Sequence, residues 1–279
     1  MIFVVCHPDD EALWIGGTIH GLSRISGIKI HVICLSGSDK NSPRTAEFND
    51  AMKVAGYVSG VVMGGPLRPA NLPLPSISKT VEDGLVELGL EVSEVNLLVT
   101  HSPFGEEHMH PHHVQASIEL YQWTRDQRLP FGYFTCLPIP TCCMQPLLRN
   151  MKRAGSLQLL NFAKCKMTWC GMLIKIFVRK PYRYPRYYTQ FLTDWVVKRE
   201  MLATYKSIDL QLHQDGYAMF HNNCESLYLF DNGGLEVIKY VMQQMDVPGS
   251  GDYFSGSWTG IGLLTSRVDR LNKILKRLF

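Results

Sequence analysis

Residues 2–11 read Ile2-Phe3-Val4-Val5-Cys6-His7-Pro8-Asp9-Asp10-Glu11, and the change of character at His7 points to the architecture. An uninterrupted apolar run rich in β-branched residues matches a short strand buried on both faces, as in parallel sheets. Pro8 has no N–H to give to a sheet ladder, so the strand stops there. A helical pattern begins with Glu11-Ala12-Leu13-Trp14-Ile15. One His and two Asp carboxylates are therefore gathered at the carboxyl end of a strand, where open α/β sheets bind ligands.

A second junction of this kind lies about a hundred residues further on. Val95-Asn96-Leu97-Leu98-Val99-Thr100 is another apolar run, and it ends in His101-Ser102-Pro103. The loop Phe104-Gly105-Glu106-Glu107-His108-Met109-His110-Pro111-His112-His113 follows, and a helix pattern starts at Val114. A catalytic zinc site takes nitrogen and oxygen ligands, three from protein with one position open. His7, Asp10 and one or two of the later histidines would supply them. Bound there, zinc lowers the pKa of a water towards ~7 and polarises an amide carbonyl. Asp9, next to Asp10 and freed by the Pro8 bend, is placed to take the water's proton. A histidine would then serve the oxyanion and the departing amine. The bland alternative is that Asp9, Asp10 and Glu11 merely start a helix and that the histidines are ordinary loop residues. Two separate motifs, in order and after the right elements, weigh against it.

These residues resemble the zinc-dependent N-deacetylase family of the N-acetylglucosaminyl-phosphatidylinositol de-N-acetylases and the LmbE-like proteins. The resemblance covers the chain to about residue 125. Its first motif is His7-Pro8-Asp9-Asp10-Glu11 and its second His110-Pro111-His112-His113. Gly16-Gly17-Thr18-Ile19 is similar to the family's first helix, and Arg44 with Glu47 resembles its Arg-x-x-Glu element. The resemblance implies that His7, Asp10 and His113 bind the metal, zinc with iron(II) as the alternative. It implies that Asp9 is the general base, that His110 assists at the tetrahedral intermediate, and that Arg44 and Glu47 bind substrate. The chain departs from the family at the third position of the second motif, where His112 stands in place of Asp. His108 adds a further histidine to the same loop.

The rest of the sequence sets the frame. Residues 1–136 alternate strand and helix patterns: strands near 1–6, 28–35, 60–64, 95–101 and 131–136, helices near 11–26, 43–56, 76–89 and 114–127. This predicts a Rossmann-like α/β fold, a mostly parallel sheet with helices on both faces. Right-handed crossovers bring the first and fourth strands together at a switch point. No Gly-x-Gly-x-x-Gly follows the first strand, which disfavours a dinucleotide site. A Pro-rich loop at 66–75 reads as a rim of the pocket. Residues 1–148 read as a metal-hydrolase core, and 149–279 as a basic extension with a helix near 194–206, a strand at 227–230 and a helix at 233–245, completing the same domain.

At 279 residues, 46% apolar and 19% charged, the chain has the composition of a globular protein. Its eight cysteines include no Cys-x-x-Cys pair; they read as reduced thiols, and with no basic leader before Ile2 a cytoplasmic location is expected. The net charge of +3 hides an asymmetry: residues 149–193 carry ten Lys and Arg and no Asp or Glu, leaving 18 basic against 25 acidic residues elsewhere. With Trp169, Tyr182, Tyr184, Tyr187 and Tyr188, this stretch suits a peripheral anionic membrane surface, the alternative being packing on the core or binding a sugar phosphate. A final helix at 263–279, also basic, would add to that face. Nucleic acid is not expected, since no recognition motif accompanies the cations. The reading is a metal-dependent deacetylase of an N-acetylated amino sugar, free or on a lipid or other carrier. Hydrolysis of another amide, acyl-amino or thiol-conjugate, and a catalytically silent metal-containing carbohydrate-binding protein are the alternatives. The oligomeric state is not legible.

Overall fold

Strand β1, Ile2–Val5, is buried along its whole length in the computed structural model. The structure describes residues 1–38, 42–65, 67–102, 110–135, 187–192, 195–208, 224–245 and 262–263. Along β1 the side chains divide by parity. Phe3 and Val5 enter one core with Ile15, Ile19, Phe48 and Tyr205, whereas Ile2, Val4 and Cys6 enter another with Val81, Leu85, Leu120 and Tyr133. Both faces are covered, which is why the run tolerates no polar residue. Each such side chain, fully buried, contributes about 1.5–3 kcal/mol.

The chain runs β1, α1 (Asp10–Trp14), α2 (Gly16–Ser23), β2 (His31–Cys34), α3 (Arg44–Val54), β3 (Ser59–Val62), α4 (Ile77–Glu87), β4 (Leu98–His101), α5 (Pro111–Asp126) and β5 (Phe131–Thr135). It continues through β6 (Tyr187–Leu192), α6 (Trp195–Ala203), β7 (Cys224–Leu229), α7 (Asn232–Met245) and β8 (Gly262–Leu263). The strands form one sheet in the order β3-β2-β1-β4-β5-β7-β6-β8. Pairing is parallel from β3 across to β5 and antiparallel beyond it. Strand β1 lies between β2 and β4, with Phe3 opposite Val32 on one side and Val99 on the other. This is the expected switch point, and it places the two motif-bearing loops at the same end of neighbouring strands.

Three differences from the sequence reading have physical causes. The first helix is two helices, broken at Ile15 (φ −143°, ψ 10°). The break is stabilised by Glu225, whose buried carboxylate accepts the N–H groups of Gly17 (3.3 Å) and Thr18 (2.7 Å) at the new helix start. Lys198 neutralises that carboxylate at 2.8 Å, so α6 and β7 are tied to α2. Gly16 allows α6 to approach: a Cβ there would lie 3.0 Å from Met201 Sδ. The second difference is β6. Tyr187 and Tyr188, assigned from sequence to a membrane interface, lie in a sheet strand between β7 and β8. The ten cations all precede that strand, so charge drew the reading over a β-favouring run. The third is that β7 begins earlier than the strand expected at 227–230. Most of the basic stretch and the helix expected beyond Leu263 lie outside the described residues.

Candidate metal centre and active site

The two loops meet at Asp10. Its Oδ2 accepts the backbone N–H of His7 at 2.8 Å and of Cys6 at 3.2 Å, and Trp14 Nε1 donates to Oδ1 at 3.2 Å. Helix α1 has no side-chain N-cap bond. The carboxylates therefore do not serve as ordinary caps: Asp10 reaches back to the strand end. The same Oδ2 lies 3.2 Å from His7 Nδ1, 3.2 Å from His113 Nε2 and 3.4 Å from His101 Nε2. Burial pushes the Asp10 carboxyl up, but the facing His113 and His101 outweigh it and hold its pKa well below the usual range.

Helix α5 presents the second motif. Pro111 occupies its first turn, where a missing N–H costs nothing. His110 is the N-cap: its Nδ1 accepts the His112 N–H at 3.2 Å. The His110 ring centroid lies 4.7 Å from those of both His7 and His113. Burial first, then the neighbouring His113 and His7, drop its pKa to about 3, so the ring is neutral. Its one hydrogen then sits on Nε2. His7 and His112 are also lowered, by burial first.

Asp9 has φ 128°, outside the usual range for a residue with a side chain. Its carboxylate meets Arg44, whose guanidinium donates to Asp9 Oδ2 at 3.1 Å and to the Pro8 carbonyl at 2.9 Å. Burial and the adjacent Asp10 push Asp9 well above the carboxylate range, and Arg44 opposes them. Glu11 lies behind: its Oε2 accepts the Asp9 N–H at 3.1 Å, and its Oε1 accepts the Tyr205 hydroxyl. Gly37 (φ +104°) lets the loop after β2 pass close to the motif, since a Cβ there would meet Pro8 Cγ at 2.8 Å.

Of the residues singled out from sequence, His7, Asp9, Asp10, Arg44, His110 and His113 are thus brought together. The resemblance cast Glu47 as substrate-binding. In the structure its buried carboxylate accepts the N–H (2.8 Å) and hydroxyl of Ser207, joining α3 to the turn after α6. His108 lies outside the described residues. Two members of the cluster were not assigned from sequence. Cys6 read as the end of the first apolar run and His101 as the end of another, yet His101 stacks on His113 at 3.8 Å and its Nε2 accepts the Cys6 N–H at 3.2 Å. Their positions at the ends of adjacent parallel strands were the signal available. Two triplets have ligand atoms within 4.8 Å of one another, His7-His110-His113 and Cys6-His101-His113. Among the described residues, no helix is long and apolar enough to cross a membrane.

The chain shares its α/β fold with a solved deacetylase. It is similar to a deacetylase from the biosynthesis pathway of teicoplanin, solved as a bog complex, with a TM-score of 0.50 at 12% identity over 82% of this chain and 96% of that one. The teicoplanin complex of a deacetylase from the same pathway gives 0.48 at 12% identity, with 82% and 96% covered. N,N'-diacetylchitobiose deacetylase from Pyrococcus horikoshii gives 0.34 at 15% identity, with 63% and 76% covered. No protein-family model and no curated protein matches the sequence.

Proposed function

We propose that this chain is a zinc-dependent N-deacetylase that hydrolyses the acetamide of an amino sugar. One observation carries the reading: His7 Nδ1 and His113 Nε2 converge on the same Asp10 oxygen, each at 3.2 Å, beside the Arg44-held carboxylate of Asp9. The donor set fits the ion. Zinc bonds of about 2.0–2.1 Å in a tetrahedral site put neighbouring donors about 3.3 Å apart, and two imidazoles with one carboxylate are borderline-soft ligands suited to it. His7, Asp10 and His113 would hold zinc, or iron(II), which supplies Lewis acidity for the amide carbonyl and a lowered pKa for the attacking water.

The chain's own residues do the proton work. Ionised Asp9 takes a proton from the water as the new C–O bond forms. Arg44 favours that ionised form against burial. Neutral His110 donates its Nε2 hydrogen to the oxygen that gains charge. When the C–N bond breaks, Asp9 returns its proton to the departing amine, and the acetic acid released ionises to acetate as it gives its proton to the free amine in solution.

The amino-sugar substrate rests on the two motifs and on the deacetylases with which the fold is shared. The ten cations in 149–193 support an anionic carrier on that sugar, and peripheral contact with an anionic membrane. The test is metal analysis with acetate release on a panel of N-acetylhexosaminides, soluble and lipid-linked. Asp9→Asn is expected to keep its metal and lose about 10²–10⁴-fold in turnover. Metal without hydrolysis of any substrate would indicate a silent binding protein, and cleavage of acyl-amino or thiol-conjugate amides alone a different amidohydrolase.

A further inference from the structure

His112 stands where the resemblance leads one to expect Asp, and it makes a pair of contacts that no carboxylate could make together. It is the second residue of α5 and is 1% exposed. Its Nε2 lies 2.8 Å from the carbonyl oxygen of Leu72, and its Nδ1 lies 2.8 Å from Nε2 of His7. A carbonyl oxygen only accepts, so His112 Nε2 carries a hydrogen. In the neutral ring Nδ1 is then a bare acceptor, and His7 Nε2 must be the donor. That leaves His7 with a bare Nδ1, the nitrogen that faces Asp10 Oδ2 at 3.2 Å. Two electron-rich atoms at that separation repel each other, and a shared cation turns the contact favourable.

We propose that His112 is a positioning residue that sets the tautomer of His7, so that His7 offers Nδ1 to the metal, and that it draws the 69–75 loop into the support of that ligand. The proposal rests on the reading of His7 as a ligand. A carboxylate at 112 could accept from His7 but could not donate to Leu72, whereas an imidazole does both. The loop end of the relay is fixed independently. Gln115, one turn along α5, accepts the Leu74 N–H at 2.9 Å and donates to the Leu74 carbonyl at 3.0 Å. Leu74 itself is buried in the core beside α4 and α5. The Leu72 carbonyl is thus held in place by α5, the helix that carries His112. Groups that orient a metal ligand in this way typically change metal affinity about 10–100-fold when removed.

The test is nitrogen-15 histidine NMR of the full chain after chelation, with His7 assigned by His7→Ala, followed by competitive zinc titration. Wild type is expected to show His7 with its hydrogen on Nε2. His112→Phe keeps the bulk and removes both links, so the tautomer preference should be lost and zinc binding should weaken about 10–100-fold. His112→Asn retains an acceptor for His7, so it should keep the tautomer and bind zinc more tightly than the Phe variant. A wild-type His7 protonated on Nδ1 would overturn the proposal, as would a folded His112→Phe variant with unchanged tautomer and affinity. If His112→Phe does not fold, the wild-type spectrum and the Asn variant decide. Failure of the broader reading looks different: the expected tautomer with no zinc bound would leave the relay standing and remove the metal.

Discussion

Arg44→Gln removes the cation that meets the proposed base. In the structure the guanidinium lies 3.1 Å from Asp9 Oδ2, with 21% of the Arg44 side chain and 12% of the Asp9 side chain exposed. At an effective dielectric of about 20, unit charges so placed attract by about 5 kcal/mol. Water entering in place of the guanidinium recovers part of that. Opposite charges at such range usually move a carboxylate by about 1–3 pKa units, or about 1.4–4 kcal/mol. The sign follows from the role. Asp9 takes a proton only when ionised, burial and Asp10 already hold its pKa high, and Arg44 pulls it down. Loss of Arg44 raises the pKa further, so the acid limb of kcat/KM should move up by about 1–3 pH units. On that limb the rate should fall about tenfold per unit, then recover at higher pH. The assay is acetate release across the pH range, with zinc content checked in each variant. A uniform loss at every pH, with the limb unmoved, would refute the idea that Arg44 acts through the ionisation of Asp9.

Two stability predictions accompany it. Burial lifts Glu11 from 4.5 to about 7, so the metal-free native state keeps a proton that the unfolded chain has lost. That favours folding below the unfolded value, and the advantage, about 3 kcal/mol, is lost as pH rises through the folded value. Glu11→Gln should flatten urea-derived stability between about pH 4.5 and pH 7, and an undiminished slope would show that other groups carry it. Lys198→Met leaves Glu225 charged, buried and unpaired, and should cost about 3–5 kcal/mol in urea unfolding, with Glu225→Gln added behind it recovering part. A cost below about 1 kcal/mol would contradict the buried pair.

The sheet from β3 to β5 was legible because every strand there is an apolar run between punctuating loops. A buried parallel strand leaves that imprint whatever its partners are. The motif loops were legible because Pro8 and Pro111 mark element boundaries, and ligand-type residues flank both. What the sequence hid depends on contacts between distant residues. Glu225 splits the first helix from 207 positions away, at Thr18, and no local pattern announces that. His112 read as an anomaly in a motif, since its two partners, His7 and the Leu72 carbonyl, lie 105 and 40 positions off. Strand β6 was overlooked because ten cations upstream coloured the reading of a segment whose own residues, Tyr187-Tyr188-Thr189-Gln190-Phe191-Leu192, favour a strand.

The central claim is that His7, Asp10 and His113 hold a divalent ion on which amide hydrolysis depends. Acetate release from an N-acetylated amino sugar, measured on chelated protein before and after stoichiometric zinc, tests it in one series. The account predicts no release after chelation, recovery on adding zinc to wild type, and no recovery in Asp10→Ala because the ion is not retained. Undiminished release by rigorously metal-free wild type, or full zinc-restored activity in Asp10→Ala, would contradict it.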